Sequence, residues 1–227
     1  HDFVAIICDG LGYGDDGTLW GGEIFENQKH IGHLERHPQL GGDAAGRFPH
    51  RMLYSILRSF MTPEEAMTFF DDRFSSRELT LLERQFSEKF HAPLTSSCGR
   101  VLDAASALLG ICDERTYDGR PAMLLEAIST EPFDITPIIE GSVLKTAPLF
   151  RYLIENSHED KGRLAATVQL YLATGLHAIA AQKNKPIVWA GGCAYNRIMT
   201  KYFLSKGVLI NRDVPAGDGG ISFGQIA

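Results

Sequence analysis

The sequence predicts an α/β fold, on three observations. The first 34 residues hold short β-branched apolar runs broken by glycine. From about residue 48 to 183, apolar side chains recur at three- and four-residue intervals, the helical period. The tail then returns to strand, helix, strand, helix.

Taken in order, Phe3 to Cys8 contains Val4, Ile6 and Ile7 and reads as a buried strand. Asp9 to Gly17 is rich in Gly and Asp and reads as a tight loop. Thr18 to Phe25 is the returning strand of a hairpin, and Lys29 to Leu34 a third strand. Pro38 to Pro49 reads as a loop carrying Gly41, Gly42, Asp43 and Gly46. Helices are expected over Arg51 to Phe60, Glu64 to Phe74 and Arg77 to Phe90. Thr62-Pro63-Glu64-Glu65 and Ser75-Ser76 supply two of the starts. Thr95-Ser96-Ser97 caps a helix that runs to Leu109 and stops at Gly110. Further helices span Arg120 to Ile128 and Asp160 to Gln182, the latter the longest. Pro186 to Ala190 is a short strand, Asn196 to Ser205 a helix, and Gly207 to Ile210 a strand. Gly217-Asp218-Gly219-Gly220 opens a last helix. No internal repeat and no linker between independent domains is visible.

Composition narrows the function. Of the 227 residues, 44% are hydrophobic and 22% charged, which excludes a disordered or low-complexity chain. With 22 Lys+Arg against 28 Asp+Glu, the net charge is −6, so phosphate-led nucleic-acid binding is not expected. Apolar stretches are broken by charge before the ~18 residues of a membrane span. The opening HDFVAIICDG has no basic segment and no cleavage site, so no signal peptide is expected. Cys8, Cys98, Cys112 and Cys193 stand far apart in sequence without a CxxC pair. That argues against structural zinc and for reduced thiols in the cytoplasm. The chain opens without Met just before a strand and stops as abruptly, which leads us to expect a piece of a longer protein.

Three glycine-and-acid loops follow strands: Asp9-Gly10-Leu11-Gly12, Ala190-Gly191-Gly192 and Gly217-Asp218-Gly219-Gly220. Glycine lets backbone N–H groups approach phosphate oxygens closely, and ligands of α/β sheets sit beyond the carboxyl ends of strands. Each loop is also an ordinary tight turn when taken alone. Neither a GxxxxGK[ST] loop nor a GxGxxG helix start occurs. Asp103 and Glu126 each sit in an apolar helical run, where a carboxylate needs a partner or a ligand. Ribose hydroxyls would suit them, and a local partner such as Arg100 would too. His30, His33 and His37 form HxxHxxxH, but Gly32 and Pro38 oppose a helix. In a strand His30 and His33 would face opposite ways, so all three are read as surface histidines. Asp9, Asp15 and Asp16 do not match a calcium loop.

Taken together these segments resemble the carbamoyltransferase family of nickel–iron hydrogenase maturation (HypF). The resemblance rests on the run from Asp9 to Glu23, on Gly41-Gly42-Asp43, on Ser96 to Ala104, on Tyr117-Asp118-Gly119, on Gly191 to Arg197, and on Pro215 to Gly220. The same module is similar to tRNA threonylcarbamoyltransferases and antibiotic O-carbamoyltransferases. It implies a ribonuclease-H-like lobe of the actin/Hsp70-like ATPase (ASKHA) fold with a helical insertion. The whole chain would be the second lobe. Such a module transfers a carbamoyl group from carbamoyl-adenylate to a C-terminal cysteine of a maturation partner. The product supports cyanide synthesis, and upstream domains of the same protein make the adenylate.

By the same resemblance, Gly10 and Gly12 match the phosphate hairpin, and Gly191, Gly192 and Asn196 the nucleotide loop. Asp103 matches the ribose-holding acid, with Glu126 its companion. Asp218 matches the carboxylate that ligates a divalent iron or zinc and so serves catalysis by polarising the carbamoyl group. The family's paired histidines belong upstream of the hairpin and have no counterpart in this sequence. Leu11 stands where the family has Thr, and Ala190 where it has Ser. These departures leave a non-catalytic nucleotide-binding scaffold, and the O- or threonyl-carbamoyl branches, as alternative readings.

Overall fold

The computed structural model describes residues 2–226. Its centre is one mixed sheet that begins with three antiparallel strands, β1 (Val4–Tyr13), β2 (Leu19–Glu26) and β3 (Lys29–Leu34). β1 is longer than the sequence suggests. The Gly/Asp stretch bulges out of the ladder between Cys8↔Gly22 and Gly12↔Trp20 and then rejoins it. The true turn lies beyond, where Asp16 accepts from Thr18 N–H (3.0 Å), the Trp20 indole (3.0 Å) and Arg36 (2.7 Å). A second irregularity, between Ile24↔Gly32 and Phe25↔His30, leaves Ile31 unpaired. It overturns the expected alternation of the histidines: His30 and His33 stack at 5.6 Å on one face. His37 is also not a surface histidine. It lies in the two-residue strand β4 (His37–Pro38), 2% exposed, sharing a 2.8 Å hydrogen bond with Thr146 Oγ1.

The following segment is less purely helical than its periodicity indicates. The expected loop contains α1 (Asp43–Arg47), and α2 (Pro49–Arg58) begins on its proline. α3 (Pro63–Phe69) and α4 (Ser76–Glu88) open on capping boxes, Thr62 with Glu65 and Ser75 with Glu78. β5 (Leu94–Thr95) pairs with β4 and, in parallel, with β2. Ser97 caps α5 (Cys98–Leu108), followed by α6 (Arg120–Ala127). The hairpin β6 (Ile139–Glu140) and β7 (Val143–Leu144) extends the sheet beside β3. The sequence analysis missed α7 (Ala147–Glu155), whose first N–H groups, at Thr146 and Ala147, donate to Glu35 (2.9 and 2.8 Å).

α8 (Lys161–Ala181) is the spine of the core and packs across β1, β2, β3 and β7. Among the described residues it is the one helix long and apolar enough to cross a membrane, and most of it is buried inside the protein. β8 (Ile187–Ala190) then inserts parallel to β1, from Val4↔Ile187 to Ile7↔Ala190. α9 (Arg197–Ser205), β9 (Leu209–Ile210) and α10 (Ile221–Ile226) follow, with β9 parallel to β8. The strand order is β6-β7-β3-β2-β1-β8-β9. β1 and β8 therefore point their carboxyl ends the same way, side by side, with the start of α5 next to them. That is where parallel strands open a crevice.

Candidate functional site

A cleft of about 1280 Å³ opens at this place. Asp9, Gly10 and Leu11 form one wall, the first turns of α5 and α6 the floor, and Gly192, Asn196 and Gly217 to Gly219 the opposite wall. The walls meet closely because glycine is present. A Cβ on Gly99 would stand 2.9 Å from Gly10 Cα, so the hairpin touches α5 backbone to backbone. Ser97 Oγ fixes that contact by donating to the carbonyls of Asp9 (3.0 Å) and Gly10 (2.8 Å). Gly191 has φ 97, and a Cβ there would lie 2.2 Å from the Cys8 carbonyl oxygen, so only glycine allows β8 to turn into the cleft.

Six of the eight expected site residues line this space: Gly10, Asp103, Glu126, Gly192, Asn196 and Asp218. Gly12 and Gly191 do not. Gly12 pairs with Trp20 in the ladder, and Gly191 supports the wall from behind. Asp103 is 1% exposed and pairs with Arg100 at 2.9 Å. Burial pushes its carboxyl up, against the pull of Arg100 and Arg115. Glu126 is bound by Arg197 Nε at 2.6 Å. Asn196 is largely occupied with structure: Oδ1 caps α9 through Met199 N–H (3.0 Å), and Nδ2 donates to Gln169 Oε1 (2.7 Å). One amide N–H of Asn196 remains for a ligand. Asp218 sits on a 3-10 turn (Asp218–Gly220) after Gly217, which packs against Gly192.

Sequence reasoning missed Arg47, Arg115 and Arg197 in the cleft and assigned no role to Asp9, whereas Arg100 is the local partner it offered for Asp103. Arg100 stood within a quoted motif, whereas Arg115 carried no local signal. It also missed that three cysteines converge. The free thiols of Cys8, Cys98 and Cys193 stand close enough to perturb one another, and Cys193 lines the cleft. The neighbouring Cys98 thiol and then burial raise the Cys193 thiol, and burial raises Cys8, so both stay protonated and poorly nucleophilic at neutral pH. For a metal, the cleft offers the carboxylates of Asp9, Asp43, Asp103, Asp118, Glu126 and Asp218 and the thiol of Cys193, but no imidazole. Among the described residues no group of three or more His, Cys, Asp or Glu is arranged to hold a metal. Carboxylates that are not grouped, with no imidazole beside them, do not fit iron or zinc by themselves.

The family model for the carbamoyltransferase Kae1-like domain, second subdomain, matches residues 5–225. The chain belongs to this carbamoyltransferase family. Its relatives within the family include the probable carbamoyltransferase HypF of Methanocaldococcus jannaschii, 42% identical over 99% of this chain and 32% of that protein. The carbamoyltransferase HypF of Rhodobacter capsulatus is 35% identical over 98% of this chain and 31% of its own length. The chain thus spans about a third of the length of these HypF relatives. Two HypF crystal structures superpose on it. That of T. kodakarensis HypF gives a TM-score of 0.88 at 28% identity, covering 99% of this chain and 33% of that one. Full-length HypF in a phosphate- and nucleotide-bound form gives 0.89 at 27%, covering 99% and 39%. The mixed α/β architecture is that of these HypF structures.

Proposed function

We propose that this chain forms the nucleotide-holding side of a carbamoyl-transfer site, as one lobe of a ribonuclease-H-like, ASKHA-type domain. The reaction is transfer of a carbamoyl group from carbamoyl-adenylate to a C-terminal cysteine of a hydrogenase-maturation partner, towards cyanide ligand synthesis. The observation that carries the reading is the convergence of Gly10, Gly192, Asp103, Asn196 and Asp218 on one cleft in a chain of this family. The partner's sulfur attacks the carbamoyl carbon after its proton has passed to solvent. The bond from that carbon to the phosphate oxygen breaks, and AMP leaves with the electron pair. Backbone N–H groups of the glycine loops hold phosphate oxygens, and the wall around Asp103 holds the nucleoside. The cleft's own thiol, Cys193, is held protonated, which favours an acceptor thiol from outside.

The reading is tested by calorimetric titration of the chain with ATP and AMP, alongside Asp103→Asn and Asp218→Ala. Equal binding by all three would sink it. With upstream domains and partner present, Asp218→Ala should abolish transfer.

A nucleotide-binding scaffold without catalysis is the second reading. Leu11 favours it: an apolar side chain, 50% exposed, lines the cleft where the resembled family has a hydroxyl. Restoring transfer by Leu11→Thr, from none in the parent assembly, would support this reading for the parent chain.

A further inference from the structure

Two guanidinium groups meet at the floor of the cleft around a single buried carboxylate. Arg100 is 5% exposed, its Nη2 forms an ion pair with Asp103 Oδ2 at 2.9 Å, and neither its Nε nor that carboxylate oxygen has a hydrogen-bond partner among the described residues. A Cβ on Gly46 would lie 2.9 Å from Arg100 Nη1 and 3.6 Å from Arg115 Nη1, so the two cationic tips approach one point. A Cβ on Gly10 would lie 3.5 Å from Arg100 Nη2, which sets the pair directly beneath the glycine hairpin. Burial and repulsion from Arg100 both depress the Arg115 guanidinium. The ion-pair partner of Arg115 is Asp118, whose side chain is 92% exposed and screened by water. Asp103 is therefore the buried carboxylate that both guanidinium groups face, and the other anionic partner of Arg115 is exposed and displaceable.

We infer that Arg100 and Arg115 form a subsite for a phosphoryl group, with Asp118 holding Arg115 until that group displaces it. Planar guanidinium forks match phosphate oxygens in pairs, and a phosphate would accept from the unpartnered Arg100 Nε–H as well as from Arg115. Asp9 is turned towards the opposite wall, where its Oδ1 would lie 2.8 Å from a Cβ on Gly192. That the phosphate belongs to a nucleotide rests on the function proposed above; the subsite itself does not.

Calorimetric titration of the 227-residue chain with inorganic pyrophosphate, AMP and adenosine tests this. AMP should bind at least about tenfold more tightly than adenosine, and pyrophosphate should bind without a nucleoside. Arg115→Gln should weaken pyrophosphate about tenfold or more and erase the advantage of AMP. Arg115→Lys should recover part of it, keeping the charge and losing the fork. Asp118→Asn, a solvent-facing change that does not threaten the fold, should raise pyrophosphate affinity severalfold. The subsite is overturned if pyrophosphate does not bind, if Arg115→Gln binds it like the parent, or if Asp118→Asn gains nothing. Pyrophosphate bound with adenosine ignored would refute the nucleotide reading and leave the subsite standing. AMP bound with no dependence on Arg115 would do the reverse.

Discussion

Arg197 Nε and Glu126 Oε1 stand 2.6 Å apart and join the start of α9 to the end of α6 at the rim of the cleft. The Arg197 side chain is 82% exposed and that of Glu126 15%, so the bond is half in water. The carboxylate expected to help hold a ribose is thus already engaged, and any ribose must compete with the arginine for it.

A double-mutant cycle on Arg197→Ala and Glu126→Gln should return a coupling of only ~0.5 kcal/mol in urea denaturation, the size of an exposed pair. Arg197→Ala should leave AMP affinity equal or higher, since it frees Glu126. A fall in affinity would mean that Arg197 itself touches the ligand.

Asn196→Ala should destabilise the chain by ~1–3 kcal/mol, because it removes the α9 cap and strands the buried Gln169 carbonyl. Asn196→Asp keeps the cap acceptor and loses the donor, so its urea midpoint should fall between parent and alanine variant. A loss of nucleotide binding in Asn196→Ala is informative only under conditions where the variant remains folded.

His37 should make stability sensitive to mild acid. Burial lowers its pKa from 6.5 to about 4, with Glu35 opposing that fall and Lys145 adding to it. Between these values the unfolded chain binds the proton and the folded chain does not. Stability is therefore full above about pH 6.5 and declines as pH falls towards 4, by ~2–3 kcal/mol. Glu35, held low by Lys145 and the Ala147 N–H against the opposing effect of burial, adds its own loss below about 4.5. Urea midpoints of His37→Gln should be flatter than the parent's between pH 6.5 and 4.5; equal slopes would refute this.

Gly191 and Gly42 both have positive φ, but their surroundings differ. A Cβ on Gly191 would strike the Cys8 backbone, whereas one on Gly42 would meet nothing within 4 Å. Gly42→Ala should therefore cost ~1–3 kcal/mol, of backbone strain alone, since its φ 56, ψ −122 is a conformation glycine favours. Gly191→Ala should cost more than ~2 kcal/mol and depress the melting temperature well below the Gly42 variant.

Where one stretch of chain decides the structure, the sequence was readable. Thr62 with Glu65, Ser75 with Glu78, and Ser97 declare helix starts within four residues, and the caps stand where those residues predict. Val4, Ile6 and Ile24 mark their strands by burial on the core face. The misses are non-local. β5 and β7 are two residues each, too short to carry a period, and exist only because β2 and β3 offer free edges. The extra residue Ile31 turns His33 onto the face of His30 without altering composition. The cleft was legible as glycine loops and buried acids. Arg100 was legible as a partner for Asp103, but Arg115 and the thiols were not, because Arg115 meets Arg100, and Cys193 meets Cys98, only after the sheet has closed.

The pairing of Val4 with Ile187 also sets a schedule for synthesis. β1 leaves the ribosome first among the strands, and its parallel neighbour follows roughly 180 residues later. At about 5–20 residues per second the wait is on the order of 10–40 s. Through that interval the hairpin can close on β2, but the far edge of β1 presents unpaired backbone in the crowded cell. The nascent chain is therefore most in need of a chaperone before residue 187 emerges, and the ligand cleft is among the last features to be completed.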